Sequence, residues 1–345
     1  RRVLFRSGCT RSHRFSNRLS VPADLASMRV PLSPYHVGEF LSMVGRRFSG
    51  PPPRPDSLDR DRRLRDGSPD WTMGFVGDIC PLFGREAQFA DDVQAFLADC
   101  DVLVGNFEGI FSDRYWQPFL MKHEPSIFGV LEQMAPLERW VVSIANNHAT
   151  DFGTEALRRT LNTLDRRGLR WLGTAERPRL ALADDVTLTA WTWWLNRPAD
   201  GVARADPGPP DERGLHVALP HWGYEHERRP RPSQSVPDGY DLTVGHHTHL
   251  PQPFEQTGDG RLVAWSLGNF VTGKQLPVLG EGALLKVGVA RPDEGPPEIV
   301  RAQFREIDLD RDRHHCRVSF RQVAAPGSEE QTVAEGTCPA ATVGL

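Results

Sequence analysis

Carboxylates, asparagines and histidines gather at a few points along this chain, each just past a run of apolar residues. Asp78 follows GFVG, Asn106 and Glu108 follow DVLV, and Asn146, Asn147 and His148 follow VVSIA. His221 follows HVALP, and His246, His247 and His249 follow LTVG. Asp78 and Glu108 offer hard carboxylate oxygens, Asn147 an amide oxygen, and His221, His247 and His249 imidazole nitrogens. No thiolate is among them, so the set favours Mn, Fe or Zn in a mixed nitrogen–oxygen site over a structural thiolate zinc. Six donors exceed one four-coordinate ion and suit two divalent metal ions bridged by a carboxylate and a hydroxide. Side chains two apart share a face while strand geometry persists, which would turn His247 and His249 to one side. Cys80 stands close to Asp78 but reads as a small packed residue rather than a soft ligand.

Such donors converge only if the elements before them deliver them to one place. The runs at 71–77, 101–106, 140–145, 215–220, 241–245 and 262–268 read as strands, and 86–98, 127–134 and 154–167 as helices. Asp151, Gly153 and Thr154 give the last of these helices a polar entry, with Asp151 a candidate N-cap. Segments 282–290, 298–307 and 315–323 read as a closing set of antiparallel strands. Alternating strands and helices followed by consecutive strands predict an α/β fold of two stacked sheets flanked by helices. In such folds, sites assemble at the carboxyl ends of strands, where each polar cluster lies.

Composition excludes several classes. A net charge of −4 over 345 residues argues against a nucleic-acid binder, whose domain would be basic. The five cysteines are scattered, with no Cys-x-x-Cys pair, and suggest neither a disulfide framework nor a zinc knuckle. No apolar run has the length of a membrane span. Residues 49–70 are rich in proline and charge and read as linker, with a short helix at 35–48 before them. Residues 1–70 are thus expected to be a disordered or artefactual extension, dispensable and little packed against the rest. Residues 71–325 are expected to form one domain and 326–345 a flexible tail. The opening heptapeptide RRVLFRS matches one reading frame of a sequencing adapter, which makes Met28 and Met43 candidate starts. The compartment is open: cytoplasmic for the sequence as given, cell-surface or extracellular if the true N-terminus carries a signal or anchor.

The segments GD (77–78), NFE (106–108), ANNHATDFG (145–153), HWGYE (221–225), GHHTH (245–249) and SLGNF (266–270) occur in the order seen in CapA-type, poly-γ-glutamate capsule synthesis proteins. The chain resembles that family of the calcineurin-like metallophosphoesterases from residue 74 to about residue 270. ANNHxxDxG and HWGxE with a following GHHxH are the specific elements, whereas GD and SLGNF are weak alone. The resemblance implies a calcineurin-like metallophosphatase sandwich and hydrolysis of a phosphate ester by hydroxide generated between two ions. It implies that Asp78 binds one ion, Glu108 bridges both, and Asn147, His221, His247 and His249 complete the set. His148 would donate a proton near the substrate, and Asp151 would orient it or cap the helix. Arg85 would clamp a substrate phosphate, or be a solvated helix residue.

The implied substrate is a phosphorylated small molecule or polymer, with capsule-synthesis machinery as a partner. Two family helices look missing here. Pro207, Pro209 and Pro210 interrupt 196–215, and only SVPD, with Pro237, remains between Gln234 and Gly239. The ligands survive both losses, so the shortening bears on substrate rather than on chemistry. An accessory role, in which the metal site binds polymer or a partner without turnover, is the alternative. Hydrolysis of a polymer amide would use the same hydroxide.

Overall fold

The computed structural model describes residues 36–49, 52–53, 57–115, 119–183, 185–210 and 213–322. Helix α1 (Val37–Ser49) and strand β1 (Arg60–Arg63) lead into β2 (Trp71–Ile79), β3 (Glu86–Phe89), α2 (Asp91–Ala98) and β4 (Val102–Phe107). Then come α3 (Ile127–Glu132), β5 (Trp140–Ser143), α4 (Thr154–Arg166), β6 (Arg170–Leu172), β7 (Arg179–Ala183) and β8 (Val186–Thr192). The rest is β9 (Leu215–His221), β10 (Leu242–Val244), β11 (Phe254–Gln256), β12 (Leu262–Ala264), β13 (Asn269–Val271), β14 (Glu281–Ala290), β15 (Glu298–Arg311) and β16 (His315–Phe320). None of the described helices is long and apolar enough to cross a membrane.

Ten strands form one sheet in the order β3-β16-β15-β14-β2-β4-β5-β6, with β1 added to β15 and β13 to β2. Six form the other, β11-β12-β10-β9-β8-β7. From Met73 on, β2 is buried on both faces, and β4 and β5 are buried throughout. That is the pattern of central parallel strands covered on either side, and β2, β4, β5 and β6 do run parallel. β8, β9, β10 and β12 form a second parallel set. One apolar cluster draws on both sheets, and Phe254 of β11 stacks on Phe304 of β15 at 5.6 Å. The two-sheet α/β sandwich flanked by helices, expected from the sequence, is therefore present.

Two glycines let neighbouring segments of each sheet come close at the site. A Cβ on Gly77 would lie 2.2 Å from the carbonyl oxygen of Gly268, and one on Gly245 would lie 2.0 Å from that of Trp265. Any side chain would push the backbones apart just before Asp78 and His246.

The structure differs from expectation in two places. Segment 86–98 is not one helix: Glu86–Phe89 is a strand parallel to β16, and the helix begins at Asp91. Alternate burial puts Ala87 and Phe89 inside, where Phe89 stacks on Phe270 at 5.2 Å. Edge pairing with a strand far along the chain overrides the local helical pattern. The described part of 1–70 is also neither unfolded nor detached. The helix expected at 35–48 exists as α1, and β1 pairs antiparallel with β15 from Arg60↔Phe304 to Arg63↔Arg301. Arg47 Nη2 of α1 donates to Glu225 Oε2 at 3.0 Å, Arg46 Nη2 donates to the Glu225 carbonyl at 3.3 Å, and Glu39 pairs with Arg231. Arg46 and Arg47 of the helix and Arg65 of the linker-like stretch all meet carboxylates late in the sequence, Glu227, Glu225 and Glu298. Residues 1–35 and 323–345, including the adapter-like heptapeptide and the tail, lie outside the described residues.

One buried residue gives a stability prediction. His123 is buried with both ring nitrogens unpartnered among the described residues, its ring 4.0 Å from that of Phe107. Burial lowers its pKa from 6.5 to about 3. Below about pH 6.5 the unfolded chain therefore takes up a proton that the folded one refuses. Stability then falls by roughly 1.4 kcal/mol per pH unit as pH drops toward 3. His123→Leu is expected to remove about 2 kcal/mol of the stability lost between pH 6.5 and pH 5, read from urea unfolding at both values. An unchanged pH difference would sink the assignment.

Candidate metal centre

β2 ends by presenting Asp78, fully buried, into the space where the two sheets meet. Beside it, β4 delivers Asn106, whose Nδ2 donates to Asp78 Oδ1 at 2.8 Å and faces His221 Nδ1 at 3.2 Å. Glu108 follows β4, also fully buried. His221 is the last residue of β9, and its Nε2 lies 2.9 Å from Asn147 Oδ1. His249 Nδ1 is 3.2 Å from Asp78 Oδ2, and its Nε2 is 3.7 Å from Glu108 Oε1. The His247 ring lies 4.7 Å from that of His221 and 6.4 Å from that of His249. All six sequence-predicted donors thus lie in one buried cluster.

The two C-terminal histidines do not converge by strand alternation, as the sequence suggested. β10 stops at Val244, and His247 and His249 sit beyond it at φ 93° and 58°. Positive φ is strained for a side chain with a Cβ and is held only where surrounding structure imposes it, often at functional sites. Here the backbone turns twice, and this aims both imidazoles inward.

Electrostatics divides the cluster. Burial, followed by the neighbouring imidazoles of His247 and His246, holds His221 well below the usual histidine range. Burial also pushes His247 down to about 4. Both are therefore neutral and have a ring nitrogen lone pair to offer. Burial would lower His249 too, but Glu108 and Asp78 outweigh it and raise His249 to about 9. Asp78 is held low against burial, chiefly by His249. Burial, with Asp78 and Glu225 nearby, drives Glu108 far up.

Two features ask for a cation. Glu108 Oε1 and both ring nitrogens of His247 are buried without a hydrogen-bond partner among the described residues. An ionised carboxylate left this way costs several kcal/mol, which a bound ion would offset. In each of two donor sets, Asp78–Glu108–His221 and Cys80–Glu108–His249, the ligand atoms lie within 4.8 Å of one another, and both sets contain Glu108. The residues present fit divalent ions, with the shared carboxylate between two positions.

His148 stands at the rim. Its Nδ1 is 2.6 Å from Asp151 Oδ2, and its Nε2 is 3.8 Å from Glu108 Oε1. Asp151 does not cap α4: the N-cap is Gly153 at φ 88°, with no side-chain cap. The Asp151 carboxylate instead accepts the Met121 N–H at 2.7 Å and Asn196 Nδ2 at 3.2 Å. Asn196 Oδ1 in turn accepts Asn147 Nδ2 at 3.3 Å, which turns Asn147 Oδ1 toward His221. One carboxylate thus orients both the rim histidine and, through Asn196, an inner oxygen donor.

Arg85 does not join this cluster. Its Nε donates to the Asp312 carbonyl at 2.8 Å, in the turn between β15 and β16. Lys274 feels the charges of the cluster: burial holds it below the lysine range while Cys80, Glu225 and Glu108 pull it up. Lys274, Asn196, Glu225 and Arg47 were missed by sequence reasoning. Asn196 lies shortly past the end of β8 and carried the same strand-end signal as the others. Arg47 and Lys274 carried none, because only tertiary packing brings them here. As expected, no helix replaces the two proline-broken segments among their described residues.

The model of the family described as bacterial capsule synthesis protein PGA_cap matches residues 64–188 and 196–274, more than half of the chain. The PGA biosynthesis protein CapA of Bacillus subtilis (strain 168) is 25% identical over 282 residues, covering 68% of this chain and 72% of that protein. The capsule biosynthesis protein CapA of Bacillus anthracis is 26% identical over 246 residues, covering 58% of this chain and 59% of the relative. The matched segments contain every residue of the buried donor cluster, and the chain belongs to the PGA_cap family of bacterial capsule synthesis proteins.

Proposed function

We propose that this chain is a metal-dependent hydrolase of phosphate esters that serves capsule synthesis. The observation that carries the proposal is the pair of unpartnered donors, Glu108 Oε1 and His247, buried beside the His148–Asp151 pair. Asp78, Glu108, Asn147, His221, His247 and His249 would hold two divalent ions of the Mn, Fe or Zn class. Ions bound there lower the pKa of water and neutralise charge on a phosphoryl group. The chain's own residues do the rest. His148 keeps Nδ1 on Asp151 and turns Nε2 inward, the geometry of an imidazole that gives a proton to a departing oxygen. Lys274, whose charge interacts with that of Glu108, would favour an anionic substrate.

The substrate class is a phosphorylated small molecule or polymer. Poly-γ-glutamate assembly is the proposed context, since one relative is named for PGA biosynthesis and the other for capsule biosynthesis. Those names describe biosynthesis rather than hydrolysis, which favours a second reading: a metal-bearing accessory component that binds polymer without turnover. Metal analysis of the purified chain, coupled to a panel of phosphomonoesters and phosphodiesters, separates the two. Turnover that disappears with chelation and returns with added ion is expected. A fully loaded protein inert across the panel would establish the accessory role instead.

A further inference from the structure

The structure assigns Cys80 as a sulfur ligand, with Glu108 and His249, for one of the two ions, making the centre an asymmetric one that prefers a borderline-soft ion such as Zn or Fe at that position. This rests on reading the cluster as a two-ion centre and goes beyond it by naming a donor and an ion class.

The backbone aims the thiol inward. Cys80 N donates to the Val271 carbonyl at 3.0 Å, so the extended pairing of β2 with β13 continues one residue past Ile79. Residues 78 and 80 then share a face, and the sulfur follows the Asp78 carboxylate into the cluster. Cys80 Sγ lies 3.8 Å from Glu108 Oε2 and 3.7 Å from Asn269 Oδ1, with the side chain fully buried. A small packed thiol needs apolar neighbours, and these neighbours are polar.

The spacing is that of a coordination shell. A tetrahedral ion with bonds of about 2.0–2.3 Å holds its donors roughly 3.3–3.8 Å apart. Cys80 Sγ lies 3.8 Å from Glu108 Oε2 and His249 Nε2 lies 3.7 Å from Glu108 Oε1, one on each oxygen of the carboxylate, and a ligand atom from each of the three residues lies within 4.8 Å of the others. His249 is set up for the part. Its Nδ1 faces Asn269 Oδ1 at 3.0 Å, which leaves Nε2 turned to the cluster. Asn269 is itself fixed, donating Nδ2 to the carbonyls of His249 and Leu279 at 3.3 and 3.1 Å. The second, independent sign of a ligand is the buried, unpartnered Glu108 Oε1, 3.7 Å from His249 Nε2. When the ion binds, the thiol proton leaves to solvent and the sulfur lone pair forms the bond, with no change of oxidation state.

The test is X-ray absorption on the full chain loaded with zinc. One sulfur at about 2.3 Å, shared over two ions, is expected. That shell should vanish in Cys80→Ser but persist in Cys100→Ser and Cys316→Ser, whose thiols are buried elsewhere. The ratio of zinc to manganese affinity is expected to fall at least about tenfold in Cys80→Ser. A loaded wild-type protein with only nitrogen and oxygen neighbours would overturn the sulfur ligand and leave the two-ion centre standing. A wild-type protein that binds no zinc, manganese or iron would overturn both. The wild-type spectrum decides the matter even if Cys80→Ser does not fold.

Discussion

Glu108→Gln is expected to make the metal-free protein more stable and, at the same time, to remove its stabilisation by metal. Burial and the nearby carboxylates Asp78 and Glu225 make an ionised Glu108 expensive, and its Oε1 has no partner. An amide of the same shape removes both that charge and the proton uptake that would avoid it, and the penalty of such a buried group is about 1–3 kcal/mol. In the presence of ion the order reverses. Wild type should gain about 2.7 kcal/mol at an ion concentration of 100 times Kd. The variant should gain little, because the carboxylate common to both donor sets is gone. Urea unfolding of both proteins, with chelator and with saturating zinc or manganese, gives the four numbers. If chelated Glu108→Gln were the weaker protein, the carboxylate would be structural rather than held in place for a ligand. Opposite signs in the two conditions are what a site kept for function at the expense of stability produces.

Much of that site was legible in the sequence because one rule, polar residues past the carboxyl ends of buried strands, placed its donors. Asp78 and His221 lie at the carboxyl ends of β2 and β9, Glu108 and Asn147 lie past β4 and β5, and the structure gathers them. The rule gave the right address for His247 and His249 but the wrong geometry, since a left-handed turn rather than strand pleating aims them. Asn196, shortly past the end of β8, obeys the rule as well. Arg85 failed because a basic residue near a motif says nothing about which carbonyl will claim it, and here Asp312 does. Glu86–Phe89 failed because its partner strand lies at the other end of the chain. The helix at 35–48 was legible, but its packing was not: Met43 enters the core and Arg47 pairs with Glu225, and mean polarity says nothing about such single contacts.

His148→Ala is expected to keep its metal and lose turnover, whereas His221→Ala loses both. His221 is neutral, buried and in one of the donor sets, so without it an inner ligand is missing. His148 reaches the same space only with Nε2, 3.8 Å from Glu108, and its other nitrogen is committed to Asp151. An imidazole so placed acts when a leaving oxygen needs a proton, and such assistance is typically worth about 10²–10⁴-fold in rate. The loss should therefore be large for an alkyl phosphate and small for a nitrophenyl phosphate, whose leaving group departs as a stable anion. Asp151→Asn should be intermediate on turnover. It should also loosen metal binding, which His148→Ala does not, because an amide cannot accept from both Met121 N and Asn196 Nδ2. Asn196 would then release its hold on Asn147 and with it the inner oxygen donor. The measurements are ion stoichiometry and the leaving-group dependence of kcat for each variant. Equal losses on good and poor leaving groups would make His148 a phosphate-binding residue rather than a proton donor. Unchanged ion affinity in Asp151→Asn would break the proposed link from Asp151 through Asn196 to Asn147.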